Sequence, residues 1–285
     1  MCRFVAYIGR PMLMDELIIK PKNSLINQSV HASEMEETLN GDGFGVAWYD
    51  HDIHPEPGLF VSVRPAWNDQ NLNYLAQKIK SNCFFAHVRA ANVGWVSEVN
   101  CHPFHYKNLA FMHNGQIGGF GKLKRHIRNE LDDEMYNWIK GQTDSEHLFA
   151  LFLHFWNRSS RQGTAYEMAD VLQETLNYLM WLAKKENIDE RQYINVVLTD
   201  GRRMVSARFT DDVPENASTL YYSKGSKYIC EENMCKMRDT DDPSDKAVLI
   251  VSERLTRDDD QWNILPSRHI LVVDADLKTS VQEVR

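Results

Sequence analysis

The sequence predicts an α+β fold in which antiparallel sheets carry helices on their outer faces. Three observations support it. The N-terminal half is rich in short apolar runs with β-branched and aromatic residues, which are typical of strands. Helical patterns then fill most of residues 122–186, and strand patterns return after residue 191. Strands followed by helices and again by strands favour antiparallel sheets with helices packed against them.

The individual elements follow from periodicity. We predict strands in the N-terminal half at residues 3–8, 16–20, 45–49, 59–63, 83–88 and 109–112. Residues 122–131 are amphipathic, and residues 164–186 carry apolar side chains at helical spacing. Residues 145–156 are apolar nearly all round, so this helix is expected to be buried.

The last third of the chain returns to strands. Residues 193–199 and 203–209 flank Asp200-Gly201, a strong hairpin signal. Residues 248–252 and 270–273 are further predicted strands, and the polar, acidic segment 238–245 is a predicted surface loop. No composition shift indicates a boundary, so we expect residues 1–285 to form a single domain, with its functional motifs concentrated in residues 1–155.

Composition excludes several classes of protein. The chain is 43% hydrophobic and 25% charged, which is ordinary for a globular protein. A net charge of −8 argues against nucleic acid as the main partner, because such binders are usually basic. No apolar run approaches the roughly 20 residues that cross a bilayer, so we expect no membrane partner.

The five cysteines are too few and too scattered for a disulfide framework, so we expect reduced thiols and a cytoplasmic protein. Cys230 and Cys235 have poor zinc spacing, and the eleven histidines form no HExxH pair. Gly41-Asp42-Gly43-Phe44-Gly45 lacks the lysine and the spacing of a phosphate-binding loop. We therefore assign no metal and no cofactor.

Cys2 is the candidate nucleophile. Removal of Met1 would place a thiol and a free α-amine on one residue, with reference pKa values of about 8.5 and 7.7–8.0. Because these values are close, the amine can accept the thiol proton near neutral pH, as in established N-terminal catalysts. Alone, a Met-Cys start is equally compatible with a small residue that opens a strand.

Acyl transfer to a thiol requires donors for the oxyanion. Asn114 and Gly115, in the sequence His113-Asn114-Gly115, offer a side-chain amide and an unobstructed backbone N–H. The competing interpretation is a turn that ends the preceding strand, since Asn-Gly is common in turns.

A γ-glutamyl substrate also needs an anchor for its α-carboxylate and one for its α-ammonium. Arg89, at the end of a predicted strand, can bind a carboxylate with both arms of its guanidinium, although a surface ion pair is the commoner fate of an arginine. Asp144 can bind the ammonium. It also lies in a predicted capping box between Thr143 and Glu146, where an acid suits the helix dipole.

Six segments in order resemble the class II glutamine amidotransferases, which are N-terminal-nucleophile hydrolases. They begin at Cys2, Gly41, Ala86, Asn100, His113 and Thr143, and they read CRF, GDGFGV, AHVRA, NCHPF, HNG and TDSE. Each motif is weak, but the ordered set is specific. Further segments resemble the stand-alone branch of the family, which includes the ergothioneine-pathway amidohydrolase and the amidotransferase subunit of the fungal glutathione-degrading complex.

This resemblance implies a four-layer αββα sandwich of two antiparallel sheets. It also implies that Cys2 is the nucleophile, that Asn114 and Gly115 form the oxyanion hole, and that Arg89 and Asp144 hold the glutamyl group. His102, in the Asn100–Phe104 motif, is a further expected substrate-binding residue. The chain departs from the synthetase-linked members, which carry Arg-Trp-Ala-Thr where it has Arg89-Ala90-Ala91-Asn92.

The expected activity is hydrolysis of a γ-glutamyl amide, either of glutamine or of a γ-glutamyl compound. Two alternatives remain open at this point. The chain could be one subunit of a complex that degrades γ-glutamyl peptides such as glutathione, and would then need a protein partner. It could instead be a catalytically degenerate binding domain.

Overall fold

The computed structural model describes residues 2–34, 39–158, 163–231, 234–242 and 245–285. The strands are β1 Arg3–Leu13, β2 Phe44–Asp50, β3 His54–Ser62, β4 Lys80–Val88, β5 Phe104–Tyr106, β6 Leu109–Gln116, β7 Tyr193–Thr199, β8 Met204–Thr210, β9 Tyr221–Gly225, β10 Lys227–Glu231, β11 Met234–Arg238, β12 Ala247–Val251, β13 Asn263–Ile264, β14 His269–Val273 and β15 Thr279–Glu283. The helices are α1 Asp15–Ile18, α2 Leu25–Val30, α3 Gln70–Ala76, α4 Phe120–Glu130, α5 Asp133–Trp138, α6 Asp144–Asn157 and α7 Ala165–Lys185.

Two large sheets organise the described residues. The first has the strand order β13-β9-β12-β1-β4-β2-β3, and the second has the order β15-β14-β8-β7-β6-β5. Neighbouring strands are antiparallel in both sheets. In the first sheet β1 lies between β12 and β4, so the start of the chain is held from both sides.

Side-chain alternation along the strands creates three apolar layers. Phe4, Ala6 and Ile8 of β1 meet Ala110 and Met112 of β6 between the sheets. The outer face of the first sheet packs against α1, α2 and α3, and the outer face of the second against α4–α7. The predicted α+β sandwich, with four layers in the order helix, sheet, sheet and helix, is therefore confirmed.

One local prediction and one competing interpretation were wrong. Residues 16–20 lie partly in the short helix α1, because Asp15 and Glu16 occupy its first turn and Leu17 and Ile18 are buried against the first sheet. Asn114 and Gly115 do not form a turn, because β6 continues to Gln116 and pairs with β7 over this whole stretch. The three main helices and the Asp200-Gly201 hairpin were predicted correctly.

The expectation that all cysteines remain reduced was also wrong. Cys230 and Cys235 are directly opposite one another in the β10–β11 hairpin and form a disulfide. Spacing alone could not indicate this, because the pairing depends on the register of the hairpin. Of the predicted loop 238–245, residues 243 and 244 lie outside the described residues, and residues 239–242 have no regular structure. Within the described part of the chain, no helix is both long and apolar enough to span a membrane.

Candidate active site

Cys2 lies immediately before β1, at the end of the first sheet. Phe4 points between the sheets, so alternation carries the side chain of Cys2 to the same side and that of Arg3 to the outer side. The thiol Sγ donates to Ala90 O at 3.5 Å. Burial raises the pKa of the Cys2 thiol, while the nearby charge of Arg89 acts in the opposite direction. The resting thiol is therefore protonated, and its activation requires a base.

A pocket opens beside Cys2 and encloses about 360 Å³, counting the part that is open to solvent. It collects residues from five separate stretches of sequence. Its lining consists of Cys2, Arg89, Ala90, Asn92, Val93, His102, His113, Gly115, Thr143, Asp144 and Ser145. Five of the six residues singled out from the sequence therefore share one cavity. Asn114 is absent from the lining.

Arg89 follows the last residue of β4 and is 3% exposed. Its Nη2 donates to Val93 O at 3.0 Å and its Nη1 to Trp95 O at 3.2 Å. None of the described carboxylates pairs with this guanidinium, so the expected surface ion pair does not form. A buried guanidinium that has no anionic partner favours the binding of an anionic ligand.

Asp144 is the first residue of α6, and its carboxylate is fixed by backbone donors. Oδ2 accepts from Ile117 N and Oδ1 from Ser145 N, each at 2.9 Å. The predicted capping box is only half formed. Thr143 accepts from Glu146 N, but the Glu146 carboxylate bonds Gly141 N and Lys140 N instead of returning to Thr143. Glu146 therefore fixes the loop at Lys140 and Gly141, which leads into α6.

Asn114 and Gly115 lie side by side in β6. Asn114 is 1% exposed, and neither its Oδ1 nor its Nδ2 has a hydrogen-bond partner among the described residues. Such an amide costs about 1–3 kcal/mol when left unpaired, so a native partner is expected from a bound molecule. At Gly115 an added Cβ would lie 1.9 Å from Tyr193 O, so the backbone there accepts no side chain.

Three buried histidines back the pocket. His102 stacks on His87 with ring centroids 4.1 Å apart, and His113 Nδ1 shares a hydrogen bond of 2.9 Å with Ser145 Oγ. Burial lowers the pKa of His87 to about 3 and lowers the pKa values of His102 and His113 as well. All three rings are therefore neutral at physiological pH. His102 and His113 therefore form an uncharged part of the pocket wall next to Arg89 and Asp144, and His87 stacks against His102.

The sequence did not single out several residues that belong to this region. Ala90 and Asn92 line the pocket where the synthetase-linked pattern differs, and Ser145 joins His113 to the start of α6. Their positions within three residues after Arg89 or Asp144 were the signal that could have identified them as pocket residues. Among the described residues, no set of three or more histidines, cysteines, aspartates or glutamates is arranged to hold a metal ion.

Comparison with known proteins places this arrangement in context. The family model described as class II glutamine amidotransferases matches residues 25–284. A protein of Saccharomyces cerevisiae named probable glutamine amidotransferase DUG3 is 37% identical over 96% of this chain and 82% of its own length. A γ-glutamyl-hercynylcysteine sulfoxide hydrolase of Mycobacterium tuberculosis is 32% identical over 41% of this chain and 50% of its own. The solved structure of a class II glutamine aminotransferase domain protein from Silicibacter pomeroyi superimposes with a TM-score of 0.65, at 26% identity and with 99% of both chains covered.

Proposed function

The chain belongs to the class II glutamine amidotransferases, and from this premise we propose that it hydrolyses a γ-glutamyl amide through a γ-glutamyl thioester on Cys2. The observation that carries the proposal is the single pocket shared by Cys2, Arg89, Gly115 and Asp144. These residues come from distant parts of the sequence and supply a nucleophile, a cation, a backbone donor and an acid. Together they match the groups that an amide of glutamate presents.

The reaction begins with a protonated thiol. With Met1 removed, the α-amine of Cys2 accepts the thiol proton while Sγ attacks the γ-carbonyl carbon. Because burial raises the pKa of this thiol, transfer to a base during attack is more favourable than a preformed thiolate. The ammonium then returns a proton to the leaving amine as the C–N bond breaks. Water, deprotonated by the same amine, attacks the thioester and releases glutamate and the free thiol.

The remaining groups hold the substrate and stabilise charge. The N–H groups of Arg89 that are not bonded to Val93 O or Trp95 O bind the α-carboxylate of the substrate. The carboxylate of Asp144 binds the α-ammonium. The Asn114 amide and the Gly115 N–H donate to the oxyanion, which would satisfy the buried and unpaired Nδ2 of Asn114. His102 forms the neutral wall beside the glutamyl chain.

The relatives differ in what their names imply. The name of the mycobacterial relative denotes a hydrolase of a γ-glutamyl compound, whereas the relative of nearly full length is named as a probable amidotransferase. The likeness to the latter over 96% of this chain favours a second candidate, an amidotransferase, which we propose would act as a subunit with a protein partner. In that case the isolated chain would release glutamate slowly until the partner is present.

The test is a screen of γ-glutamyl amides, including glutamine and glutathione, with glutamate release as the readout. Intact mass should show that Met1 is absent from the active protein. A diazoketone analogue of glutamine should label the N-terminal peptide on Cys2. Cys2→Ala should abolish glutamate release and labelling. Normal turnover by Cys2→Ala, or by protein that retains Met1, would contradict the mechanism.

A further inference from the structure

A buried ion pair lies directly behind the nucleophile. Arg3 and Glu253 are each 1% exposed, and Arg3 Nε lies 2.9 Å from Glu253 Oε2. Arg3 faces the outer side of the first sheet, where the next residues on that face, Val5 and Tyr7, belong to an apolar cluster. The pair therefore occupies a position at which the fold otherwise uses apolar side chains.

The guanidinium also reaches the backbone of the nucleophile. Arg3 Nη1 donates to Cys2 O at 3.1 Å. The antiparallel pairing of β1 with β4 begins at Arg3, opposite Val88, so Cys2 lies just outside the ladder. A chain end beyond the last ladder pair frays unless another contact holds it. At Cys2 O that contact is made by Arg3.

Glu253 is itself tightly held. Oε1 accepts from Ser33 Oγ at 2.7 Å and from Asn23 Nδ2 at 3.0 Å, and Oε2 accepts from Glu34 N at 3.3 Å. Burial raises the pKa of Glu253, but the hydrogen bonds from Ser33 and Asn23 and the charge of Arg3 outweigh it, so the net pKa is lowered. Glu253 is therefore ionised, and its ion pair holds the Arg3 guanidinium in one orientation.

A buried ion pair is weak evidence of added stability, so stability alone does not explain this arrangement. Burying two charges is costly before their attraction is counted, and an apolar pair of similar volume is often as stable or more so. What an apolar pair could not supply is a rigid donor aimed at Cys2 O. Arginine provides it because its planar fork bonds two acceptors in fixed directions.

We propose that the Arg3–Glu253 pair holds the chain end at Cys2 in the orientation that catalysis requires, which makes Arg3 a positioning residue for the nucleophile. The inference rests on the proposed function, because it matters only if Cys2 attacks the substrate. Among the described residues, the side-chain hydrogen bonds of this pair reach the pocket lining only at Cys2 O. Their loss should therefore slow the reaction without weakening substrate binding.

The experiment replaces Arg3 by lysine. A lysine keeps the charge but presents one ammonium, which cannot serve Glu253 and Cys2 O in the same fixed geometry. Displacements of about 1 Å at a reacting atom cost on the order of 100-fold in rate. Arg3→Lys should lower kcat, and the labelling rate at saturating diazoketone, by about 10- to 100-fold. KM and the half-saturating diazoketone concentration should stay within about twofold of wild type.

Arg208→Lys is the matched control. Arg208 is also buried, and it donates to the backbone oxygens of Ser218, Ala217 and Leu265, away from the pocket. It should lower the melting temperature and leave kcat within about twofold. Should Arg3→Lys not fold, the neutral double variant Arg3→Gln/Glu253→Gln takes its place and should show the same fall in kcat.

The outcomes separate this inference from the proposed function. A folded Arg3 variant with kcat within twofold of wild type overturns the inference while Cys2 remains the nucleophile. Failure of both Arg3 variants to fold, while Arg208→Lys folds, would also overturn the inference, because the pair would then serve the fold as a whole. Turnover that does not depend on Cys2 overturns the proposed function instead, whatever the Arg3 variants do.

Discussion

Arg89 gives the sharpest prediction about substrate recognition. Arg89→Gln replaces the buried guanidinium by a neutral amide that still has one NH2 group to offer Val93 O or Trp95 O. The loop after β4 therefore keeps part of its support. What disappears is the positive charge that no described acid neutralises.

The size of the effect follows from the contact that is lost. A hydrogen bond to a charged group contributes about 1.5–3 kcal/mol, and 1.36 kcal/mol corresponds to a tenfold change. KM for the γ-glutamyl substrate should therefore rise by about 10- to 150-fold. Because the α-carboxylate lies away from the bond that breaks, kcat should change much less.

The assay measures glutamate release from glutamine over a range of concentrations, and repeats it with an analogue whose α-carboxylate is blocked as an amide. For wild-type enzyme, KM should be higher for the blocked analogue than for glutamine. The factor should be about the same as that by which Arg89→Gln raises KM for glutamine. The variant should show no additional loss on the analogue. Arg208→Gln removes a buried arginine outside the pocket and should leave the preference for the carboxylate intact.

Two results would refute this reasoning. A KM for Arg89→Gln within twofold of wild type would show that the guanidinium does not bind the substrate. A variant that still discriminates against the blocked analogue as wild type does would place the carboxylate elsewhere. In either case the unpaired cation would need another explanation.

Three further predictions concern the same region. Asn114→Ala should lower kcat by about 10²–10³, measured as glutamate release, because it removes one oxyanion donor; an unchanged kcat would exclude that role. Gly115→Ala should destabilise the protein by about 1–3 kcal/mol in thermal unfolding, because its Cβ would overlap Tyr193 O, whereas Gly121→Ala in α4, where no atom lies within 4 Å, should not destabilise it. The pKa of His87 is about 3 in the folded protein against an ordinary 6.5, so the unfolded chain binds the extra proton between these values. Stability from this group should be complete above pH 6.5 and fall as the pH decreases towards 3; urea midpoints that stay constant between pH 7 and pH 4 would disprove it.

The ordered set of motifs predicted the fold and most of the pocket, because its residues lie at strand ends and at the start of one helix. Arg89 follows β4, and Asp144 opens α6, as their sequence context indicated. Asn114 and Gly115 show where local signals fail. Their turn chemistry was overridden by pairing with β7, whose sequence lies some 80 residues away, and no local pattern carries that information.

Contacts between distant segments outside the family motifs could not be predicted. Glu253 lies 250 residues from Arg3 and gave no motif, although its carboxylate receives donors from three places in the chain. The run at 16–20 was too short to distinguish a strand from a buried helical turn. The Cys230–Cys235 bond likewise depends on a hairpin register that spacing does not specify.

The central position of β1 has a consequence for biosynthesis. Its neighbour β12 and the ion-pair partner of Arg3 are translated about 250 residues after Cys2. At roughly 5–20 residues per second, the ribosome needs about 12–50 s to cover that distance. During synthesis the first residues therefore wait for β12 and Glu253 over that interval, and the ion pair behind Cys2 forms only after residue 253 has been added.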